Sequence, residues 1–457
     1  MEKFKRLTIQ DEKQLMFGRS AHPIKTRRGL VIGGGTVHPE LNFTVPPTEI
    51  NSSTMAGITR MYGEIITDAC TRARDLSLEG FVVEFETLIE MTVETSFAVE
   101  LTKVISDVLE ENYAKHGLRT ALRITPNDAR DMVRPPVMRS GAMLEAMMRT
   151  FEECAGAGAE FLSIESTGGK EVHDDALLDC DLQRVIFALA VMGCRDMEFL
   201  WSRIAEIGHS TGTIPAGDTA CAFGNTAMVL AEKRYIPKVF AAVVRAASAV
   251  RSLVAYEQGA AGPGKDCGYE NPFIKAITGV PVSMEGKSAV CAHSSPVGNI
   301  TSAMCDLWSN ESVQNVKLLG GWTPTISLEQ LAYDCRLMNQ ALLLGYEYSL
   351  QKLMVASDVP HDPQALILAP VNVLRIAGAI VRGDGYYSAT VAAAREALAI
   401  IREGHQSGRT RLPEAELKWL ARLEETAGDL PAEESEFIAG VYPALDETKF
   451  IRADYGL

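Results

Sequence analysis

The feature that most constrains this chain is a recurrence. Short β-prone runs return along its first three quarters, near 30–34 (LVIGG), 81–86 (FVVEFE), 121–125 (ALRIT), 161–166 (FLSIES), 211–217 (TGTIPAG), 252–257 (SLVAYE), 280–285 (VPVSME) and 315–320 (NVKLLG). Helix-patterned segments lie between them, such as GAMLEAMMRTFEECAGAG at 141–158. Successive strand starts are mostly about forty residues apart, the length of one strand–helix unit with its loops. The runs are apolar on both faces, as in a parallel sheet covered by helices. Eight such units predict an α/β fold, a (β/α)8 TIM-type barrel preceded by an additional N-terminal segment. A doubly wound open sheet is the alternative. It would carry a glycine fingerprint after its first strand, and GGGTVHPE (33–40) does not fit one.

The strand signals stop near residue 326. Segments 327–354, 386–404 and 412–426 read as helices. In the second, Val391, Ala394, Leu398 and Ile401 share one face, with Gly404 expected as the C-cap; Pro413 is expected at the first position of the third. The expected division is a barrel over 1–325 and a helical region over 326–457 packed on it.

Charge and apolar content narrow the classes of function. The 457 residues carry 44 Lys plus Arg against 59 Asp plus Glu, a net charge of −15, which repels nucleic acid and anionic membranes. The N-terminal MEKFKRLTIQDEKQL lacks an apolar signal core, and the stretches 185–194 and 365–381 are too short or too charged to span a bilayer. A cytoplasmic protein with no membrane and no nucleic-acid partner is expected. Nine cysteines, an odd number in a large chain, argue against a disulfide framework. Most, Cys154 and Cys194 among them, read as small buried apolar residues. Cys221 and Cys267 differ, because each sits in a polar or glycine-rich loop at an expected strand end.

The loop GAAGPGKDCG (259–268) has the outline of a phosphate-binding loop, but Asp266 stands where the magnesium-binding hydroxyl belongs. Nucleotide hydrolysis is therefore not expected. A different chemistry suggests itself at the carboxyl ends of the strands, which in a parallel barrel face one pocket. Three of those ends present Glu165, Cys221 and Cys267. One carboxylate and two thiolates make three legs of a tetrahedral zinc site with the fourth position open, the catalytic rather than the structural pattern. With nine cysteines in the chain such a set also arises by coincidence, so spacing alone leaves both readings open.

Local sequence goes further. FLSIESTGGKEV (161–172), GTIPAGDTACAFGNTAM (212–228), RSLVAYEQGAAGPGKDCGYENPFIKAITG (251–279) and MEGKSAVCAHSSPVGN (284–299) strongly resemble the zinc subunit of methanol:corrinoid protein methyltransferases. VIGGGTVHPELNF (31–43), SNESVQ (309–314) and LAYDCRLMN (331–339) match as well. The resemblance covers nearly the whole chain and is densest from 160 to 314. It implies a zinc-bearing (β/α)8 barrel with the metal on Glu165, Cys221 and Cys267. It also implies methanol as methyl donor and a Co(I) corrinoid as acceptor. No D-x-H-x-x-G cobalamin motif is present, so the corrinoid is expected on a partner protein docked over the barrel mouth, around a homo-oligomeric core in a hetero-complex.

Zinc held by one glutamate and two thiolates is a moderated Lewis acid, which leaves work for a proton donor. The candidates are Glu84 and Glu86, on one strand face by the period of two, and Asp218, three residues before Cys221. Each also fits a role in orienting a ligand or capping a helix. Lys265 reads either as steadying a thiolate or carboxylate or as a solvated surface lysine; His293 reads either as lining the pocket or, in preference, as a histidine packed behind it. The sequence departs from the family's archaeal pattern at Ala220, at Thr167 and His173, and at Phe223-Gly224. Glycines beside the ligands predict a narrow pocket suited to methanol. A methoxylated aromatic is the alternative donor, and a non-catalytic zinc scaffold that docks a corrinoid protein is the alternative of another class.

Overall fold

A computed structural model of the chain describes residues 3–46, 48–286, 296–312, 317–318 and 321–457. Two strands, β1 (Arg19–Lys25) and β2 (Val31–Gly34), form an antiparallel hairpin. Seven more make one wholly parallel sheet: β3 (His38–Phe43), β4 (Gly80–Glu86), β5 (Arg119–Thr125), β6 (Phe161–Ile164), β7 (Ile214–Asp218), β8 (Ser283–Glu285) and β9 (Leu307–Ser312). Their spatial order is β7-β6-β5-β4-β3-β9-β8, a curled sheet with helices against its outer face.

Three of the expected strands fall elsewhere. LVIGG belongs to the β1–β2 hairpin, where Leu30 and Ile32 pack against Val82, Ala121, Phe161, Ala216 and Leu307 and so plug the amino-terminal end of the curled sheet. The run 252–257 is the carboxyl-terminal end of a helix, Lys238–Glu257. That helix is buried on every side, because the helices Cys194–Thr211 and Tyr386–Gln406 pack against it, so its apolar residues carry no strand alternation. It is the one described helix long and apolar enough to cross a membrane, and it is wholly enclosed within this molecule. Of 315–320, Lys317–Leu318 pairs with Gly321–Trp322 in a separate two-stranded ribbon, and residues 315, 316, 319 and 320 lie outside the described residues.

Two sheet strands, β3 and β9, have no counterpart among the expected runs. Their inner faces are polar beyond the floor: Glu40, Asn42 and Ser309 are all buried there. A rule that looks for apolar runs passes over such strands. Between the two edge strands runs the irregular segment 261–266. Ala261 N donates to Pro215 O of β7 (2.8 Å), while Ser283 N of β8 donates to Gly264 O (3.0 Å) and Glu285 N to Asp266 O (2.9 Å).

After the sheet come the helices Thr323–Leu344, Glu347–Asp358, Pro370–Val381, Tyr386–Gln406 and Glu414–Gly428. Val391, Ala394, Leu398 and Ile401 are buried together, in the same continuous core as Val243 and Val254. Residues 325 and 326 fall within the first of these helices. Gly404 is not a cap, since its helix runs to Gln406. A β-carbon there would sit 2.4 Å from Leu366 Cδ2, so the glycine permits close packing instead. Pro413 sits one position before the expected one, as the N-cap of Glu414–Gly428.

Candidate metal centre

Glu165 follows β6 directly, Cys221 follows β7 after two residues, and Cys267 directly follows the 261–266 segment. Their donor atoms, one carboxylate oxygen and two sulfurs, lie within 4.8 Å of one another. Cys267 Sγ donates to Glu165 Oε1 at 2.7 Å. Glu165 and Cys221 face a cavity of about 610 Å³, and Cys267 is buried beneath them. Among the described residues no fourth Cys, His, Asp or Glu joins the set. A soft, anionic donor set with one open side fits zinc in a site that also takes a substrate.

The local backbone explains how the set is aimed. Gly217, with φ +140°, leaves room for Tyr256, whose hydroxyl would be 2.4 Å from an added β-carbon. Cys221 opens one turn of π-helix, Cys221–Asn225, a geometry that widens a helix and is frequent at functional sites. The wider turn brings Asn225 back to the sulfur: its Nδ2 donates to Cys221 Sγ (3.3 Å) and to Cys267 O (3.0 Å). Arg245 fixes that amide through its Oδ1 (2.8 Å). Arg251 ties two ligand loops together by donating to Ser166 O (2.7 Å) and Thr219 O (3.1 Å). Sequence reasoning missed Asn225, although its spacing of four from Cys221 is a signal that it could have used.

The three acidic candidates separate. Glu84 and Glu86 do share the inner face of β4. Glu86 lines the cavity, whereas Glu84 lies deeper, fully buried, accepting from Thr125 Oγ1 at 2.6 Å. Asp218 is elsewhere. Buried behind the Cys221 loop, it accepts from Ser166 Oγ (2.6 Å), Trp201 Nε1 (2.9 Å) and Thr219 N (2.8 Å), and it is not among the cavity-lining residues. Burial raises Glu84 well above the usual carboxylate range, with Asp266 adding to it. Burial also raises Glu86, and although Lys265 pulls it back, it settles at about 7. Burial would raise Asp266 too, but the adjacent Lys265 ammonium outweighs it and holds the group at about 2.

Lys265 is no surface residue: it is 1% exposed, and Asp266 is fully buried. Most of the loop that resembled a phosphate cradle, residues 262–268, therefore runs inside the molecule. His173 is buried edge-on against Phe223, with ring centroids 5.0 Å apart, and Phe223 is itself fully buried rather than a wall of the cavity. Ala220 is buried as well, its N–H donating to Glu270 Oε1 at 2.6 Å. His293 lies outside the described residues. The expected narrow pocket is corrected: the cavity is many times the volume of methanol, and Asn127, Asp128, Val229 and Leu230 form its outer walls.

Comparison with known proteins places this geometry in context. The family model described as methanol-cobalamin methyltransferase B subunit matches residues 1–456. The methanol–corrinoid protein co-methyltransferase of Methanosarcina barkeri is 39% identical over 441 residues, 96% of this chain and 95% of that protein. The crystal structure of the methanol:cobalamin methyltransferase complex MtaBC from Methanosarcina barkeri matches with a TM-score of 0.96 at 38% identity, covering 100% of both chains. End to end, in sequence and in fold, this chain belongs to the methanol-cobalamin methyltransferase B subunit family.

Proposed function

We propose that this chain moves the methyl group of methanol to the Co(I) corrinoid of a partner corrinoid protein, with zinc held by Glu165, Cys221 and Cys267. The observation that carries the reading is the glutamate–cysteine–cysteine set, open on one side, in a chain that matches the family over its whole length. Bound zinc supplies Lewis acidity to the oxygen of the substrate. Glu165 and Cys221 line the cavity, so a metal held by them would be open to a substrate there. Glu86, on the same cavity wall, holds a proton near neutral pH. As the methyl carbon bonds to cobalt and its bond to oxygen breaks, Glu86 gives that proton to the departing oxygen, which leaves as water. Glu84 backs Glu86 from below, and Asp218 acts through the loops that it positions.

The fold reading follows the same lines. The 261–266 segment bonds to both edge strands and so serves as the eighth position of a (β/α)8 barrel, with residues 326–457 as a brace against its flank. The space above the ligands, far beyond what methanol needs, admits the corrinoid. That same volume favours a second reading, in which a methoxylated aromatic lies against Val229 and Leu230. A non-catalytic scaffold is disfavoured by the open side of the donor set.

The test is anaerobic methylation of a Co(I) corrinoid protein, followed by its spectral change, with each donor in turn. Methanol is expected to react faster than any aryl methyl ether. Transfer from the ether alone would overturn the substrate while leaving the zinc chemistry, and transfer from neither would support the scaffold.

A further inference from the structure

Lys265 stands among four carboxyl groups and a sulfur. Its Nζ lies 2.5 Å from Glu86 Oε1, 2.9 Å from Asp266 Oδ1, 3.0 Å from Glu165 Oε1 and 3.3 Å from Glu84 Oε1. Cys267 Sγ is 3.6 Å away. The described residues hold two clusters able to bind a metal ion, Glu165–Cys221–Cys267 and Glu84–Glu86–Asp266, and the Lys265 ammonium stands between them. Its carboxylate contact on the first cluster is Glu165 Oε1, the same atom that accepts from Cys267 Sγ.

From this placement we infer that Lys265 is a positioning residue of the metal centre, the internal counter-cation that keeps Glu165 and Cys267 converged on one metal. The inference rests on the zinc reading above. The charge that Glu165 and Cys267 bring as metal ligands to one buried point beside Asp266 creates strong repulsion at low dielectric, and Glu165, the most exposed of these groups, is the one with room to swing into the cavity. The ammonium removes that repulsion. It also draws the acidic cluster toward itself, so that those carboxylates do not compete with the two sulfurs for the metal. Cys221 is outside this arrangement, because Asn225 and Arg245 hold it from the other side. Loss of Lys265 therefore loosens two ligands and spares the third.

The experiment is a competition titration of metal-depleted protein with zinc against a chromophoric chelator. The wild type is compared with Lys265→Met, Lys265→Arg and the double variant Lys265→Met/Glu84→Gln. The double variant removes one of the buried carboxylates that the single change leaves uncompensated, and so covers a failure of Lys265→Met to fold. Folding of each metal-depleted variant is checked by its thermal transition. Zinc affinity is expected to fall about 10- to 100-fold in the folded Met variants, as for groups that orient metal ligands elsewhere. Lys265→Arg, which keeps the charge, is expected to recover part of it, and a purely structural role for Lys265 would not produce that recovery. The zinc–sulfur count from X-ray absorption should fall below the wild-type value in the Met variants. Wild-type affinity in either folded Met variant, or an Arg variant no better than Met, would overturn the inference while leaving zinc binding intact. A wild type that takes up no zinc removes the reading beneath it, and the inference with it.

Discussion

The two ends of the curled sheet are built from the same strands and opposite chemistry. At the amino-terminal end Val82, Ala121, Phe161, Ala216 and Leu307 close on Leu30 and Ile32 of the hairpin. Two residues further along the same inner faces come Glu84 on β4 and Arg123 on β5. Arg123 there bonds to Glu40 (2.8 Å) and Ser163 (2.7 Å). Two further still are Glu86 and Thr125, at the cavity with Glu165 and Cys221. The period of two converts distance along a strand into polarity. The apolar floor stabilises the fold by burial. The mouth holds charged groups out of water, at a cost that only pairing offsets. The difference teaches that stability and reactivity are stacked along one axis of the molecule rather than divided between domains.

This contrast can be broken from either end, and the largest effects belong at the mouth. Cys221→Ala and Cys267→Ala should each abolish zinc retention and methyl transfer, by metal analysis and the cobalt assay. Cys305→Ala, which alters a buried thiol away from the ligand set, should keep the metal. Full zinc occupancy in both ligand variants would end the assignment. Next in size, Glu86→Gln should slow methyl transfer by about 10²–10⁴-fold, the range for a lost general acid. Glu86 is protonated below about 7 and ionised above it, so the wild-type rate should decline as pH rises through that value. The glutamine variant should lose that limb. A pH profile unchanged by the substitution would move the proton donor elsewhere.

Smaller still, Asn225→Ala should weaken zinc affinity by about 10- to 100-fold without a comparable loss of folding stability, because it removes a contact to Cys221 Sγ and to Cys267 O. At the other end, Ile32→Val should cost about 0.5–1.5 kcal/mol in denaturant unfolding and leave zinc affinity untouched. A shift in zinc affinity from that floor variant would show that the two ends are coupled. The smallest expected effect is none: titration of ATP or GTP with Mg²⁺ should give no saturable heat, because Lys265 and Asp266 are inside the protein and already paired.

The three members of the candidate metal set are legible in the sequence because their chemistry is local. A cysteine in GPGKDCGYEN and another in GDTACAFGN stand out against cysteines in helical patterns, and an acidic residue after FLSI stands at a strand end. The parallel α/β class is legible for a similar reason, since β4, β5 and β6 have outer faces of apolar residues (Phe81, Val83 and Phe85; Leu122 and Ile124; Leu162 and Ile164) and an apolar residue at the start of the inner face. β3 and β9 are not, because HPELNF and LWSNES spend their inner positions on the polar interior. The run at 252–257 misleads in the opposite sense. A helix enclosed on all sides is as apolar as a buried strand, and six residues cannot reveal which period applies.

By itself, then, the sequence determined what kinds of atoms the site contains: one carboxylate and two sulfurs at chain segments with backbone free to turn. It also determined that strands and helices alternate, because hydrophobic period and glycine position are properties of neighbours along the chain. Only the tertiary structure decided that Asp218 is spent on holding loops while Glu86 faces the cavity. Only there does Lys265, two residues from a ligand, become a buried cation among four carboxylates. Which groups share a low-dielectric space depends on segments far apart in sequence that come together on folding, and charge acts through that space rather than along the chain.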